Sequence, residues 1–306
     1  MRWNRLTPRL ALAGLLAIAL CLPASAKSES AAPKVVEAHP AVWVVQDQDT
    51  TIYLFGTIHL LKPEIRWFDG PVRKAFDASQ QLVVEVAESD EAGTPAKVMQ
   101  RALQPEAPTI SSRLPEGSGP RFLSALEDQG LSPIVFDRVK PWFAALTLSI
   151  LPLRKLGYDP DSGADHVLKT VATQRGKIVT GFETADQQIG FFEDLPDPLQ
   201  IEMLDQTLDE LPKLGDMITQ MIAAWSRGEP DRLAALLNDS INVNPELEKR
   251  LLTDRNARWT QWIDDRMDQP GTVFIAVGAG HLAGKNSVQT MLKQRGFTVR
   301  RVKRVD

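Results

Sequence analysis

Two histidines of this chain stand in the same local setting, Gly56-Thr57-Ile58-His59 and Gly278-Ala279-Gly280-His281, each closing a short apolar run. A glycine at the end of such a run lets the backbone turn sharply or approach a neighbour closely. A histidine three residues later is then presented beyond the strand end, where open α/β sheets hold their ligands. Neutral imidazole is a common ligand for divalent transition metals, and a carboxylate oxygen often completes the set. Glu85, flanked by Val84 and Val86, is the natural partner, because a glutamate in an apolar strand is costly to bury without a cation or hydrogen-bond partner. Its alternative setting is a solvated sheet edge. Glu183, ending another apolar run, is the runner-up ligand or a group that orients a histidine. A metal held with open positions turns a bound water into a nucleophile near neutral pH. The chemistry these residues point to is hydrolysis.

The other polar candidates carry less. His39 precedes Pro40 in a polar leader and is expected in solvent, and His166 follows Asp165 at a helix start, as a cap or surface residue. Arg255-Asn256 has the guanidinium fork that would clamp a substrate carboxylate, or is a surface pair on a helix. There is no H-E-x-x-H helix and no G-x-S-x-G elbow. Gly278 to Ala283 fits the dinucleotide fingerprint, but no acidic residue follows where a ribose would need one.

The elements that must position these groups are legible from apolar periodicity. Thr51 to Phe55 and Val273 to Val277 are too short for helices and rich in β-branched and aromatic residues, so both read as buried strands. Ala41 to Val45 forms a hairpin with the first. A helix from Val72 to Ser79, with Pro71 at its favoured first position, leads to the strand Gln81 to Val86 that carries Glu85. Near the other end, a helix from Ser287 to Arg295 leads to a closing strand, Phe297 to Val302. Between them, helical spacing runs over residues 120–130 and 133–156, then a helix His166 to Gln174 and a strand ending at Glu183. Residues 186–268 read as almost wholly helical, divided by prolines into about four pieces. The expected fold is α/β: a mixed sheet built from two similar strand–Gly-x-x-His–helix–strand units at the two ends of the chain, with a largely helical insert between.

Composition bounds the function. Arg2, Arg5 and Arg9, an apolar stretch from Leu10 to Leu22 and Ala24-Ser25-Ala26 make a secretory signal peptide over residues 1–26, cleaved after Ala26. A flexible leader, 27–40, and a single domain, 41–306, would follow. A periplasmic or secreted location is expected, with no further membrane span. Cleavage would leave 32 Lys and Arg against 39 Asp and Glu, which excludes a basic nucleic-acid footprint. Cys21 is the one cysteine of the chain, so cysteine nucleophiles and thiolate metal sites are excluded as well.

Taken together, Tyr53-Leu54-Phe55-Gly56-Thr57-Ile58-His59, Val83-Val84-Glu85, Lys140-Pro141-Trp142, Gly163-Ala164-Asp165, Phe182-Glu183-Thr184, Arg255-Asn256 and Val277-Gly278-Ala279-Gly280-His281-Leu282-Ala283-Gly284 resemble the TraB/PrgY/GumN family, in its secreted GumN-like branch. The family's usual Leu-Glu-Thr is Phe182-Glu183-Thr184 here, and its Gly-Ile-Asp is Gly163-Ala164-Asp165. Both departures spare the polar residue.

The resemblance implies a fold shared with the TIKI metalloproteases and, more distantly, with erythromycin esterase and ChaN-like proteins. Carried over, His59, His281 and Glu85 become metal ligands or catalytic groups, with Mn, Co or Zn as the ion. Glu85 or Glu183 would be the general base, Asp165 a supporting residue, and Arg255 and Asn256 would line the cleft. The implied activity is a metal-dependent hydrolase acting on a peptide or another small extracytoplasmic substrate. Two alternatives stand beside it: a PrgY-like protein that captures a peptide without turnover, and a metal-free ester or lactone hydrolase.

Overall fold

A computed structural model describes residues 35–87, 95–241 and 245–303. The expected signal peptide and the first part of the leader lie outside the described residues. Among the described residues, eight strands occur in chain order: β1 Val36–Glu37, β2 Val42–Gln46, β3 Thr50–Thr57, β4 Ile65–Arg66, β5 Gln81–Val86, β6 Ile178–Glu183, β7 Gly271–Gly278 and β8 Val299–Arg301. Six of them form one mixed sheet in the order β6-β5-β7-β3-β2-β8, and β1 pairs with β4. β6, β5, β7 and β3 are parallel neighbours, while β2 runs antiparallel to both β3 and β8. The fold is a mixed α/β architecture with many helices.

The two strands that end in Gly-x-x-His are adjacent at the centre. β3 pairs with β7 along its whole length, with Gly56 opposite Val277 and Thr57 opposite Gly278. This pairing inserts β7 between β3 and β5, so the helix Gly70–Ala78 carries the chain across β7 to reach β5. Likewise β8 lies at the far edge, beyond β3 and β2, and not beside β7. The two end segments therefore interleave into one sheet.

Alternation along the strands explains why the sheet is buried on both faces. Phe55 of β3, Phe274 and Ala276 of β7 and Leu82 and Val84 of β5 face one core, which includes Phe76, Trp142 and Trp225. Ile52, Leu54, Val83, Val273, Ile275 and Val277 face the other, covered by Trp259, Ile263 and Met267 of the helix Asp254–Met267 and by Val288 and Leu292 of the helix Val288–Gln294.

Three local differences from the sequence reading have physical causes. The single helical run expected over 133–156 is two helices, Pro133–Phe136 and Pro141–Lys155, because Lys140 is held extended ahead of Pro141. The stretch 186–268 contains more pieces than its prolines suggested: helices Ala185–Glu193, Asp197–Glu210, Leu214–Ser226, Pro230–Ile241, Pro245–Glu248 and Asp254–Met267. Within the expected leader, Val36–Glu37 is strand β1. Among the described residues, no helix is long and apolar enough to cross a membrane.

Candidate functional site

Strand periodicity decides where Glu85 points. It shares a face with Val83, so its side chain meets the helix Asp254–Met267 rather than a solvated edge. Its carboxylate is only 6% exposed. Glu183 ends the neighbouring strand β6, with Val86 opposite it. On the facing helix, Arg255 and Trp259 lie one turn apart on the same side.

Arg255 is the centre of the arrangement, with its side chain 1% exposed. Its Nε donates to Glu183 Oε1 at 2.8 Å, and its Nη2 donates to Glu183 Oε2 at 2.7 Å and to Glu85 Oε2 at 2.5 Å. Its Nη1 donates to Leu251 O at 3.0 Å and to His281 Nε2 at 3.0 Å. The Leu251 carbonyl comes from Lys249–Thr253, a π-helical turn directly before Arg255. Such wide turns often mark functional positions. The rings of Trp259 and Phe191 cover the guanidinium at 4.8 and 5.2 Å.

His281 sits in the 3-10 turn Ala279–Leu282 after β7 and is fully buried. Its Nδ1–H donates to Asn256 Oδ1 at 2.6 Å. The Asn256 amide is itself oriented by donation to Asn286 O at 2.8 Å. That contact fixes the tautomer, leaving Nε2 as the acceptor that Arg255 meets. The ring packs on Trp259 at 4.3 Å. Burial first, then the Arg255 charge beside it, push its pKa down to about 3 against the pull of Glu85, with His59 adding a smaller push, so the imidazole is neutral. Glu85 is the opposite case. Burial alone would raise it, but Arg255, His281, His59 and the Gly278 N–H, which donates to Oε1 at 2.7 Å, together bring it to about 2.

His59 lies at the more open side of this cluster, 22% exposed, and its charge is felt at both Glu85 and His281. Its Nδ1–H donates to Asp165 Oδ1 at 2.8 Å, across 106 residues of chain. A close backbone contact makes that possible. Ala164 N–H donates to Ile58 O at 2.9 Å, and a Cβ on Gly163 would sit 2.2 Å from the His59 carbonyl oxygen. Burial raises the Asp165 carboxyl, and the His59 charge and hydrogen bond more than offset it, so its pKa is lowered.

The structure thus gathers Glu85, Glu183, Arg255, Asn256 and His281 into one bonded network, with His59 and Asp165 beside it. His39 and His166 are exposed and apart from it in the hydrogen-bonding described. Sequence reasoning missed Gln188, whose Nε2 donates to Glu85 Oε2 at 3.0 Å and to Glu183 Oε2 at 3.2 Å. A signal for it existed: Thr184 and Gln187 form a capping box that starts the helix Ala185–Glu193. That start turns the next residue back over the two carboxylates.

The ligand set implied for a divalent ion, His59, His281 and Glu85, does not fit one in this arrangement. The Glu85 oxygens are bonded to Gly278, Gln188 and Arg255, and the His281 Nε2 lone pair meets Arg255. Among the described residues, no group of three or more His, Cys, Asp or Glu side chains is placed to hold a metal.

The comparisons agree with the motifs. The chain is 26% identical over 254 residues to the uncharacterized protein YbaP of Escherichia coli (strain K12), covering 83% of this chain and 92% of that protein. It is 24% identical over 304 residues to a "Metalloprotease TIKI homolog" of Amphimedon queenslandica, covering 82% of this chain and 59% of that protein. An uncharacterized protein of Treponema pallidum (strain Nichols) is 22% identical, covering 92% and 90%. No solved structure matches significantly. The TraB/PrgY/gumN family profile matches residues 41–301, and the chain belongs to that family.

Proposed function

We propose that this protein is a hydrolase of peptide-class substrates, with His59 as the general base held by Asp165. The observation that carries this reading is the division of protonation states across the site. Glu85, at about 2, is a weak base that stays ionised, and His281, at about 3, is neutral but has its Nε2 occupied by Arg255. Neither is matched to proton transfer near neutral pH. His59 differs: its Nδ1–H is bonded to a carboxylate that stabilises the imidazolium formed when Nε2, itself a buried atom, takes a proton from a water held at the site. Glu85, Glu183, Asn256, Gln188 and Arg255 then act as a fixed polar floor that orients the strand ends around that base. The choice of peptide follows the printed name of the sponge relative, a metalloprotease homologue.

That same name favours a second reading, in which hydrolysis is metal-dependent. Two imidazoles whose Nδ1 atoms are both bonded in the protein suit it, whereas the contacts of Arg255 oppose it. One experiment tests both: cleavage of a short-peptide library, read by mass spectrometry, with and without chelator. Cleavage that His59→Ala abolishes supports the hydrolase. Loss in chelator, restored by Mn, Co or Zn, selects the metal-dependent form. A folded protein that captures peptides and cleaves none would replace both readings with sequestration.

A further inference from the structure

We infer that the Arg255 guanidinium is the resident cation of this site, built into the position between the carboxylates and His281 that a divalent metal would otherwise take. Arginine has five N–H donors in a fixed fork. Here each finds an acceptor: Glu183 Oε1 from Nε, Glu183 Oε2 and Glu85 Oε2 from Nη2, and Leu251 O and His281 Nε2 from Nη1. A group with every donor bonded, 1% exposed and covered by two aromatic rings is a designed fit. The surroundings are shaped for it as well. The π-helical turn Lys249–Thr253 supplies the Leu251 carbonyl, and Asn256 holds His281 in the tautomer that offers Nε2 to a donor.

A divalent ion cannot share this position. Its bonds to nitrogen and oxygen ligands are about 2.0–2.2 Å long. Glu85 Oε1 lies 3.7 Å from His281 Nε2, but that nitrogen is already met by Arg255 Nη1 at 3.0 Å and Glu85 Oε2 by Nη2 at 2.5 Å, so an ion bonding this pair displaces the guanidinium. The positive charge of Arg255 would oppose the ion, and desolvated like charges repel strongly at such range. Displacing Arg255 would strand a buried guanidinium and remove the partner of Glu183. Arg258, 3.6 Å from Glu183 and half in solvent, adds further positive charge on the same side. Arg255 thus occupies the place of the metal that the family resemblance implies. It concerns cation binding and does not depend on the hydrolase reading.

The test is Co2+ binding to the purified protein, read by the visible absorption of bound cobalt, together with metal content after purification and melting temperature with Mn2+, Co2+ and Zn2+. The parent protein is expected to retain no stoichiometric metal, to give no cobalt band and to melt within about a degree of its metal-free value. Arg255→Ala leaves two carboxylates and a free imidazole nitrogen around a cavity, and is expected to gain cobalt absorption and at least tenfold tighter binding. Arg255→Lys keeps the charge and is expected to bind no better than the parent. Near one equivalent of metal in the parent, lost in both Glu85→Gln and His281→Asn while these remain folded, would overturn the inference. Should Arg255→Ala fail to fold, the parent cobalt spectrum and the Arg255→Lys comparison still decide it.

Discussion

At the scale of single residues, the site depends on charges that are buried only because they are bonded. Glu85 accepts from Gly278, Gln188 and Arg255, and removing its charge would leave Arg255 short of one anion inside the protein. Breaking such a buried pair costs about 3–5 kcal/mol. Glu85→Gln is therefore expected to lower the urea unfolding midpoint markedly, and chemical denaturation measures it. His59 stands in contrast. Its side chain is 22% exposed, and its truncation removes, among its contacts, the bond to Asp165, which is 24% exposed. His59→Ala is expected to change stability by less than about 1 kcal/mol while removing turnover. Asp165→Asn keeps the shape and loses the charge behind the imidazole, so turnover should fall about a hundredfold with substrate affinity retained. Parallel measurement of kcat, KM and folding separates these variants from a general loss of structure.

At the scale of elements, two close backbone approaches set the site. Gly56 of β3 packs against the turn after β7, where an added Cβ would lie 2.9 Å from Ala279 Cα. Gly163 presses the start of the helix Ala164–Gln174 onto the His59 carbonyl. Neither neighbour is a flexible side chain, so Gly56→Ala and Gly163→Ala should each cost about 1–3 kcal/mol, measured by thermal unfolding. Gly163→Ala should also separate Asp165 from His59, with a loss of turnover larger than its loss of stability. This is also the scale at which sequence reading succeeds and stops. Strands β3, β5, β6 and β7 were legible because short apolar runs rich in β-branched residues have few other uses, and the placing of Glu85 in a buried strand followed. The role of Arg255 was not legible. Its partners come from strands β5 and β6, from the π-helical turn before its own helix and from the turn after β7, and nothing in local spacing distinguishes a buried arginine from one on a helix surface. Gln188 escaped for the same reason, although the capping box ahead of it was readable. The order β5-β7-β3 required the pairing of segments about 190 and 220 residues apart, which no local pattern encodes.

At the scale of the whole molecule, the buried titratable groups tie folding to pH. His281 is neutral in the fold, at about 3 against an ordinary value of 6.5, so the unfolded chain binds its proton first. Stability from this group is full above pH 6.5 and falls as the pH drops towards 3. Glu85 is held at about 2 against 4.5, so its contribution is full above 4.5 and is lost as the pH falls towards 2. The two windows join into one acid-labile range. Between pH 6.5 and 4.5 the loss from His281 alone is on the order of 2 kcal/mol. The urea midpoint should fall over that range, and His281→Asn should flatten the slope. An unchanged slope would show that His281 is not buried neutral. The central claim, that a His59–Asp165 pair beside a fixed Arg255 network makes this family member a hydrolase, is tested most directly by peptide-library cleavage with the parent, His59→Ala and Asp165→Asn proteins in parallel. The account predicts defined cleavage products from the parent, none from His59→Ala and a trace from Asp165→Asn, with all three folded. Products formed equally by His59→Ala, or none from the folded parent, would contradict it.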